Sequence, residues 1–191
     1  MSAEIKEILN NAQSIARILI KQIVRSGDTV IDSTVGNGND TVFLAELVGV
    51  SGTVYGFDIQ EEALRNARAI LPEALEERVE FLHASHATIA EKICEDVSLV
   101  LFNLGYLPGA DRTITTSAEI TCAACKAALQ KLRIGGVILC VVYRGHAEGE
   151  QEWHELCAYG KTLKQNEYNF FTLDFPNQAN NPPGLIAFQK R

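Results

Sequence analysis

Apolar positions along the chain fall into two rhythms. Between Ser2 and Val24, the residues Ile5, Ile8, Leu9, Ala12, Ile15, Ala16, Leu19 and Ile23 recur every three or four places. That spacing predicts an amphipathic helix, with Ser2 as its N-cap and Ser26-Gly27-Asp28 as its end. Beyond it, short β-branched runs alternate with stretches of helical period. Strands are predicted at Thr29–Ser33, Thr53–Asp58, Val79–His83, Ser98–Phe102 and Val137–Tyr143. Helices are predicted over Asp40–Leu47, Glu61–Ala69, Ile89–Cys94, Ser117–Leu132 and Glu148–Lys164, with Gly135-Gly136 closing the helix that begins at Ser117. Asn169–Phe175 and Leu185–Gln189, separated by NQANNPPG, read as a hairpin-like pair of final strands. The alternation predicts an α/β, three-layer Rossmann-like fold: a seven-stranded, mostly parallel sheet with helices on both faces. One domain is expected over residues 1–191, with residues 1–25 as an N-terminal helix packed on it.

Composition narrows the function classes. The formal charge of −7, from 17 basic and 24 acidic groups, argues against general charge-driven nucleic-acid binding but leaves room for a local basic patch. No apolar run reaches the roughly eighteen residues of a membrane span, and the polar start MSAEIKEILNNAQ is not a signal peptide. Five scattered cysteines suggest free buried thiols in a reducing compartment, so a cytoplasmic location is expected. Cys122-x-x-Cys125 has no second ligand pair, so it reads as two small core side chains and no metal site is expected. A homodimer is left open.

The first strand runs into DSTVGNGNDT. A strand ending in Asp, then G-x-G, then a helix brings bare backbone and a helix N-terminus against a ligand. A dinucleotide fingerprint carries a third glycine where this chain has Thr41, and no G-K-[ST] follows to make a P-loop. The acids Asp32 and Asp40 would repel a pyrophosphate and attract a sulfonium and an ammonium. The loop therefore favours S-adenosylmethionine over NAD. Asp58, ending the second strand about twenty residues on, is placed to accept hydrogen bonds from both ribose hydroxyls. Ile59 behind it would pack on the adenine face, next to Gln60. After the third strand comes HASHATI, where position 84 is Ala rather than an acid. Ser85, His86 or the backbone must then meet the adenine amino group.

The fourth strand runs into Asn103-Leu104-Gly105-Tyr106-Leu107-Pro108-Gly109. Its arrangement resembles the N-P-P-Y loop of amino-group methyltransferases. A nitrogen nucleophile needs its lone pair aimed at the methyl carbon and its N–H groups held by acceptors, a role open to the Asn103 side-chain oxygen. Tyr106 could stack on a flat base. Methylation at pyrimidine carbon normally needs a cysteine nucleophile, and no cysteine here lies in a strand-end loop. Nitrogen is the favoured acceptor, with positioning supplying most of the rate. Tyr143-Arg144-Gly145-His146 follows the fifth strand, and Asn180-Asn181-Pro182-Pro183-Gly184 joins the last two. His146 is suited to accept a proton or bind substrate. Arg112, Arg144, Lys161 and Lys164 are candidates for phosphate, against the commoner reading of scattered surface charge.

Over nearly the whole chain, D-S-T-V-G-N-G-N-D-T-x-F-L-A, F-N-L-G-Y-L-P-G-A-D, Y-R-G-H and N-Q-x-N-N-P-P resemble the bacterial MnmM-type methyltransferases, a family long labelled rRNA methylases. The resemblance implies a class I methyltransferase fold with S-adenosylmethionine as donor. It also implies methylation of the exocyclic amine of 5-aminomethyl-2-thiouridine at the wobble position of tRNA, so the tRNA anticodon loop is the expected partner. By the same resemblance, Asp32, Thr34, Gly36, Asn37, Gly38, Asp40, Thr41 and Asp58 hold the cofactor; Asn39, within the same loop, is a further cofactor-binding candidate. Asn103 to Pro108, His146 and the Asn180–Pro183 segment line the substrate pocket, with Asn103, Tyr106 and His146 closest to the chemistry; Tyr106 and Tyr143 are the candidates for stacking on a splayed base. The chain departs from the family at Asn39, where His is usual, at Ala84, and in the A-E-G-E that follows His146. A small amine metabolite or another RNA base as substrate, or a non-catalytic S-adenosylmethionine- or NAD-binding module, are the competing readings.

Overall fold

The computed structural model describes residue 9, residues 11–105 and residues 117–191. Helix α1 spans Ala12–Ile23 and is capped by Asn11, whose side chain accepts from the Ser14 N–H at 2.9 Å. The capping Asn, in extended backbone, fixes the first turn of this helix at Ala12. The predicted cap Ser2 lies outside the described residues.

Strands β1 (Thr29–Asp32), β2 (Thr53–Asp58) and β3 (Val79–His83) fall where the sequence places them. They are interleaved with α2 (Asn39–Val48) and α3 (Glu61–Ile70). A short helix, α4 (Ile89–Lys92), follows a 3-10 turn at His86–Thr88 and leads into β4 (Val97–Leu104). Beyond lie α5 (Ala118–Lys131), β5 (Leu132–Val142), α6 (Ala147–Thr162), β6 (Tyr168–Leu173) and β7 (Gly184–Lys190). A further 3-10 helix at Glu73–Arg78 went unpredicted, since Pro72 starts it and its six residues are too few for a period.

The sheet order is β3-β2-β1-β4-β5-β7-β6, with β7 antiparallel to both of its neighbours and the other pairings parallel. The last two strands pair as a hairpin would, but β7 inserts beside β5 and leaves β6 on the edge. Alternate residues of the central strands feed two separate cores. Val30, Leu99, Leu101, Leu139 and Leu185 meet α1 and α2 on one face. Ile31, Val100, Phe102, Cys140 and Phe188 meet α4, α5 and α6 on the other. Burial of both faces explains why these strands read as continuous apolar runs.

One prediction fails at the α5–β5 junction. The glycines do not close the helix: α5 ends at Lys131 and Leu132 already pairs with Val97. The register then jumps to Val137 opposite Leu99, so residues 133–136 bulge, with Gly135 at φ +79°. The cysteine reading holds for Cys122 and Cys125, both buried, and Cys125 Sγ lies 3.8 Å from Cys140 Sγ. Cys94 is exposed, against the expectation of buried thiols throughout. Among the described residues no group of His, Cys, Asp or Glu is placed to hold a metal, and no helix is long and apolar enough to cross a membrane.

Candidate active site

The chain reverses its direction of winding at β1, which pairs with β2 on one side and β4 on the other. The carboxyl ends of such strands open a crevice, the usual ligand position in an open α/β sheet. A cavity of about 810 Å³ occupies it, large enough for a nucleoside-sized cofactor and a second molecule.

One wall is the glycine turn. Gly36 (φ +53°) and Gly38 (φ +81°) both take left-handed backbone, and Gly38 carries the chain into α2 without a side-chain cap. The two glycines serve different ends. Gly36 lines the cavity, and its N–H donates to Asp58 Oδ2 at 2.9 Å. Gly38 faces the other way: a Cβ there would stand 2.7 Å from Ala67 Cα, so this glycine lets α2 and α3 approach. Asp58 also accepts from the Gln60 N–H at 2.9 Å. The acid at the end of β2 is thus tied to the turn after β1, and each of its oxygens keeps a lone pair for a ligand. Ile59, 55% exposed, stands beside it on the cavity wall, as do Gln60, Asn37 and Asn39.

His86 and Ser85 complete this end. His86 Nδ1 lies 3.2 Å from the Ser33 carbonyl oxygen, which can only accept, so Nδ1 carries the proton. Burial lowers the His86 pKa, keeping the ring neutral, and the ring meets Phe102 edge-on at 5.5 Å. Nε2 is consequently an acceptor, buried and without a partner. Ser85 instead spends its hydroxyl on capping the short turn, accepting from Ala87 N–H.

At the opposite end stand Asn103, Gly105 and Tyr143, from the ends of β4 and β5. The Asn103 N–H donates to Thr34 Oγ1 at 2.8 Å, and its Nδ2 donates to Asp40 Oδ2 at 3.1 Å. Its Oδ1 is buried with no partner. Tyr143 packs over Gly105, and burial together with the charge of Asp40 pushes its phenol pKa up.

Several residues assigned to the pocket from sequence sit elsewhere. Asp32 is 1% exposed behind the turn, where its carboxylate accepts from Thr41 Oγ1 (2.6 Å) and the Thr34 N–H (3.2 Å). It shapes the loop rather than lining the cavity, and Thr41 is buried with it. Leu104 points into the core. Arg144 is committed to Glu150 and Asp174 in ion pairs of 3.0 Å each and lies over the Trp153 ring, so it offers no free cation. His146 caps α6, its Nδ1 accepting from the Gly149 N–H at 3.1 Å, and is not on the cavity wall. Asn180 and Pro182 are also absent from that wall. Asn180 is exposed at φ +65°. Tyr106, Leu107, Pro108 and Arg112 lie outside the described residues.

Sequence reasoning missed Gln13 and Arg17 of α1 and Ser117 and Ile120 at the start of α5, all on the cavity wall. The four-residue spacing of Gln13 and Arg17 on a polar helix face was the available signal, but it looks like any solvated stripe.

Comparison with known proteins places this geometry. The family described as "Putative rRNA methylase" matches residues 54–189. A chloroplastic tRNA (mnm(5)s(2)U34)-methyltransferase of Arabidopsis thaliana is 38% identical over 190 residues, covering 94% of this chain and 69% of the plant protein. A crystal structure from Clostridium thermocellum described as a "putative rRNA-methylase" superposes with a TM-score of 0.92 at 40% identity, covering 96% of this chain and 99% of that one. A Streptococcus mutans protein described as "a putative methyltransferase", in complex with SAH, superposes with a TM-score of 0.87 at 33% identity, with the same coverages.

Proposed function

The chain belongs to the rRNA-methylase family of S-adenosylmethionine-dependent methyltransferases, and on that premise we propose that it methylates the exocyclic amine of 5-aminomethyl-2-thiouridine at the wobble position of tRNA, giving the 5-methylaminomethyl form. The observation that carries the acceptor class is Asn103 Oδ1: a buried, unpartnered hydrogen-bond acceptor in a residue of the cavity wall. It calls for a hydrogen-bond donor, a part that the N–H of an amine fills. The name of the Arabidopsis relative carries the choice of tRNA.

The residues present fit the cofactor. The Gly36 backbone, Asp58, Ile59 and Gln60 form a cradle for a nucleoside, and the unpartnered Nε2 of His86 takes the place of the acid absent at Ala84 as an acceptor for an exocyclic amine. S-adenosylmethionine, when bound, supplies an electrophilic methyl group on sulfur. Asn103 Oδ1 accepts one N–H of the acceptor amine and so turns the nitrogen lone pair toward that carbon. With the donor bound, N–C bond formation would accompany C–S cleavage, and the methylated nitrogen would lose its proton to solvent. Tyr143 and Gly105 bound the space the amine must enter. Alignment of this kind can contribute on the order of 7 kcal/mol without a covalent intermediate.

The test is transfer of labelled methyl to tRNA lacking this methyl, read by nucleoside mass spectrometry. Appearance of 5-methylaminomethyl-2-thiouridine is expected. Labelling of a small amine with tRNA untouched would replace this substrate with a metabolite, the reading that the net charge of −7 favours. For the cofactor end, Asp58→Ala is expected to weaken S-adenosylhomocysteine binding at least tenfold in calorimetry, because the ribose acceptor goes and the Gly36 and Gln60 N–H groups lose their partner. Unchanged affinity would remove Asp58 from the cofactor site.

A further inference from the structure

Three side chains from three separate elements meet at the acceptor end of the cavity. Arg17 of α1 places Nη2 2.7 Å from Asp40 Oδ1, in the first turn of α2. The other oxygen of Asp40 accepts from Asn103 Nδ2 at the end of β4. The Arg17 guanidinium also lies over the Phe43 ring, 4.7 Å from its centre. A planar cation held on an aromatic face keeps its direction better than a free one.

An amide side chain has two ends of nearly equal shape and opposite chemistry. A carboxylate only accepts, so the Asn103 NH₂ must face Asp40 and Oδ1 must turn away from it. Arg17 holds the Asp40 carboxylate in the orientation that meets this amide.

We infer that Arg17 is a positioning residue for methyl transfer: acting through Asp40, it fixes which end of the Asn103 amide meets the acceptor amine, and this makes the N-terminal helix part of the active site. The inference rests on the N-methyltransferase reading above. A second tether from the same helix, the hydrogen bond from Gln13 Nε2 to the Tyr143 hydroxyl, reaches the other strand end at this side of the cavity.

Single-turnover methyl transfer to tRNA tests the relay with Arg17→Ala, Arg17→Lys, Asn103→Ala and the Arg17→Ala/Asn103→Ala pair. Arg17 is 46% exposed, so its removal leaves a folded protein. Arg17→Ala is expected to lower the transfer rate about tenfold, with tRNA KM and S-adenosylhomocysteine affinity changed less than about twofold. Arg17→Lys should restore most of the rate. In the Asn103→Ala background, Arg17→Ala should add less than about twofold, since a residue acting through Asn103 has nothing left to act on. An undiminished Arg17 effect in that background, an effect confined to tRNA KM, or no effect would overturn the relay. A substrate-free measurement separates this from the choice of substrate. The Asn103 side-chain NH₂ signals in a ¹⁵N–¹H spectrum, assigned by their loss in Asn103→Ala, should move in Arg17→Ala. If the wild-type protein leaves tRNA unmethylated, the substrate reading falls and these spectra decide the relay: moved signals support it, unmoved signals overturn it.

Discussion

Replacing Asn103 with alanine is expected to slow methyl transfer by on the order of 100- to 1000-fold while cofactor affinity and tRNA KM change little. The Asn103 backbone N–H keeps its bond to Thr34 Oγ1, so the strand end stays in place. Arg17 still pairs with Asp40, so that carboxylate is not left alone. What disappears is the acceptor that turns the amine. An interaction needed to align the reacting lone pair falls on the rate of the chemical step, not on uniform binding. Single-turnover rates beside tRNA KM and S-adenosylhomocysteine calorimetry make the check. A variant that turns over at the wild-type rate would show that the amine is oriented by another group.

The second large effect concerns stability. Burial pushes the Asp32 carboxyl up from 3.8 to about 7, with Asp40 adding to the rise and the hydrogen bond from Thr41 opposing it. Between those two values the folded protein holds a proton that the unfolded chain has released. Stability from this group is therefore full below the unfolded value, falls as pH rises through the interval, and is flat above about 7. The total is about 4 kcal/mol. Asp32→Asn stays neutral at every pH, keeps an acceptor for the Thr34 N–H, and offers an N–H to Thr41 Oγ1. The variant is expected to match wild type at low pH, where both are uncharged, and to exceed it by roughly 2–4 kcal/mol at pH 8. Urea unfolding of both proteins between pH 5 and 8 measures the difference. Parallel stability curves would show that Asp32 does not titrate in this range.

The buried Asp32 also shows how far the sequence could be followed. The turn DSTVGNGNDT was legible as a ligand cradle because a strand, two permissive glycines and a helix are consecutive in the chain. Its pairing with Asp58 was legible because the interval between them is fixed by one βαβ unit, and the Gly36–Asp58 bond closes that unit. Which acid faces the ligand was not. Asp32 and Asp40 look alike in sequence, but the strand end turns one into the protein and the helix start turns the other toward the cavity.

Arg144 and His146 had the residue types of a substrate site and were claimed by neighbours in α6 and beyond: Glu150 and Asp174 for one, the Gly149 N–H for the other. A side chain satisfied by such partners has little free energy to offer a substrate, and nothing in local spacing announces the loss. The apolar rhythm, the glycine turn and the loop after the fourth strand by themselves determined the alternating strands and helices and marked Gly36, Asp58 and Asn103 as site candidates. Only the tertiary structure decided the order β3-β2-β1-β4-β5-β7-β6 and the entry of Gln13 and Arg17 into the active-site wall. Those depend on partners 130 residues apart for Gln13 and 63 apart for Asp40 and Asn103, and pairings at such separation are set by packing of the whole sheet, not by any period in the chain.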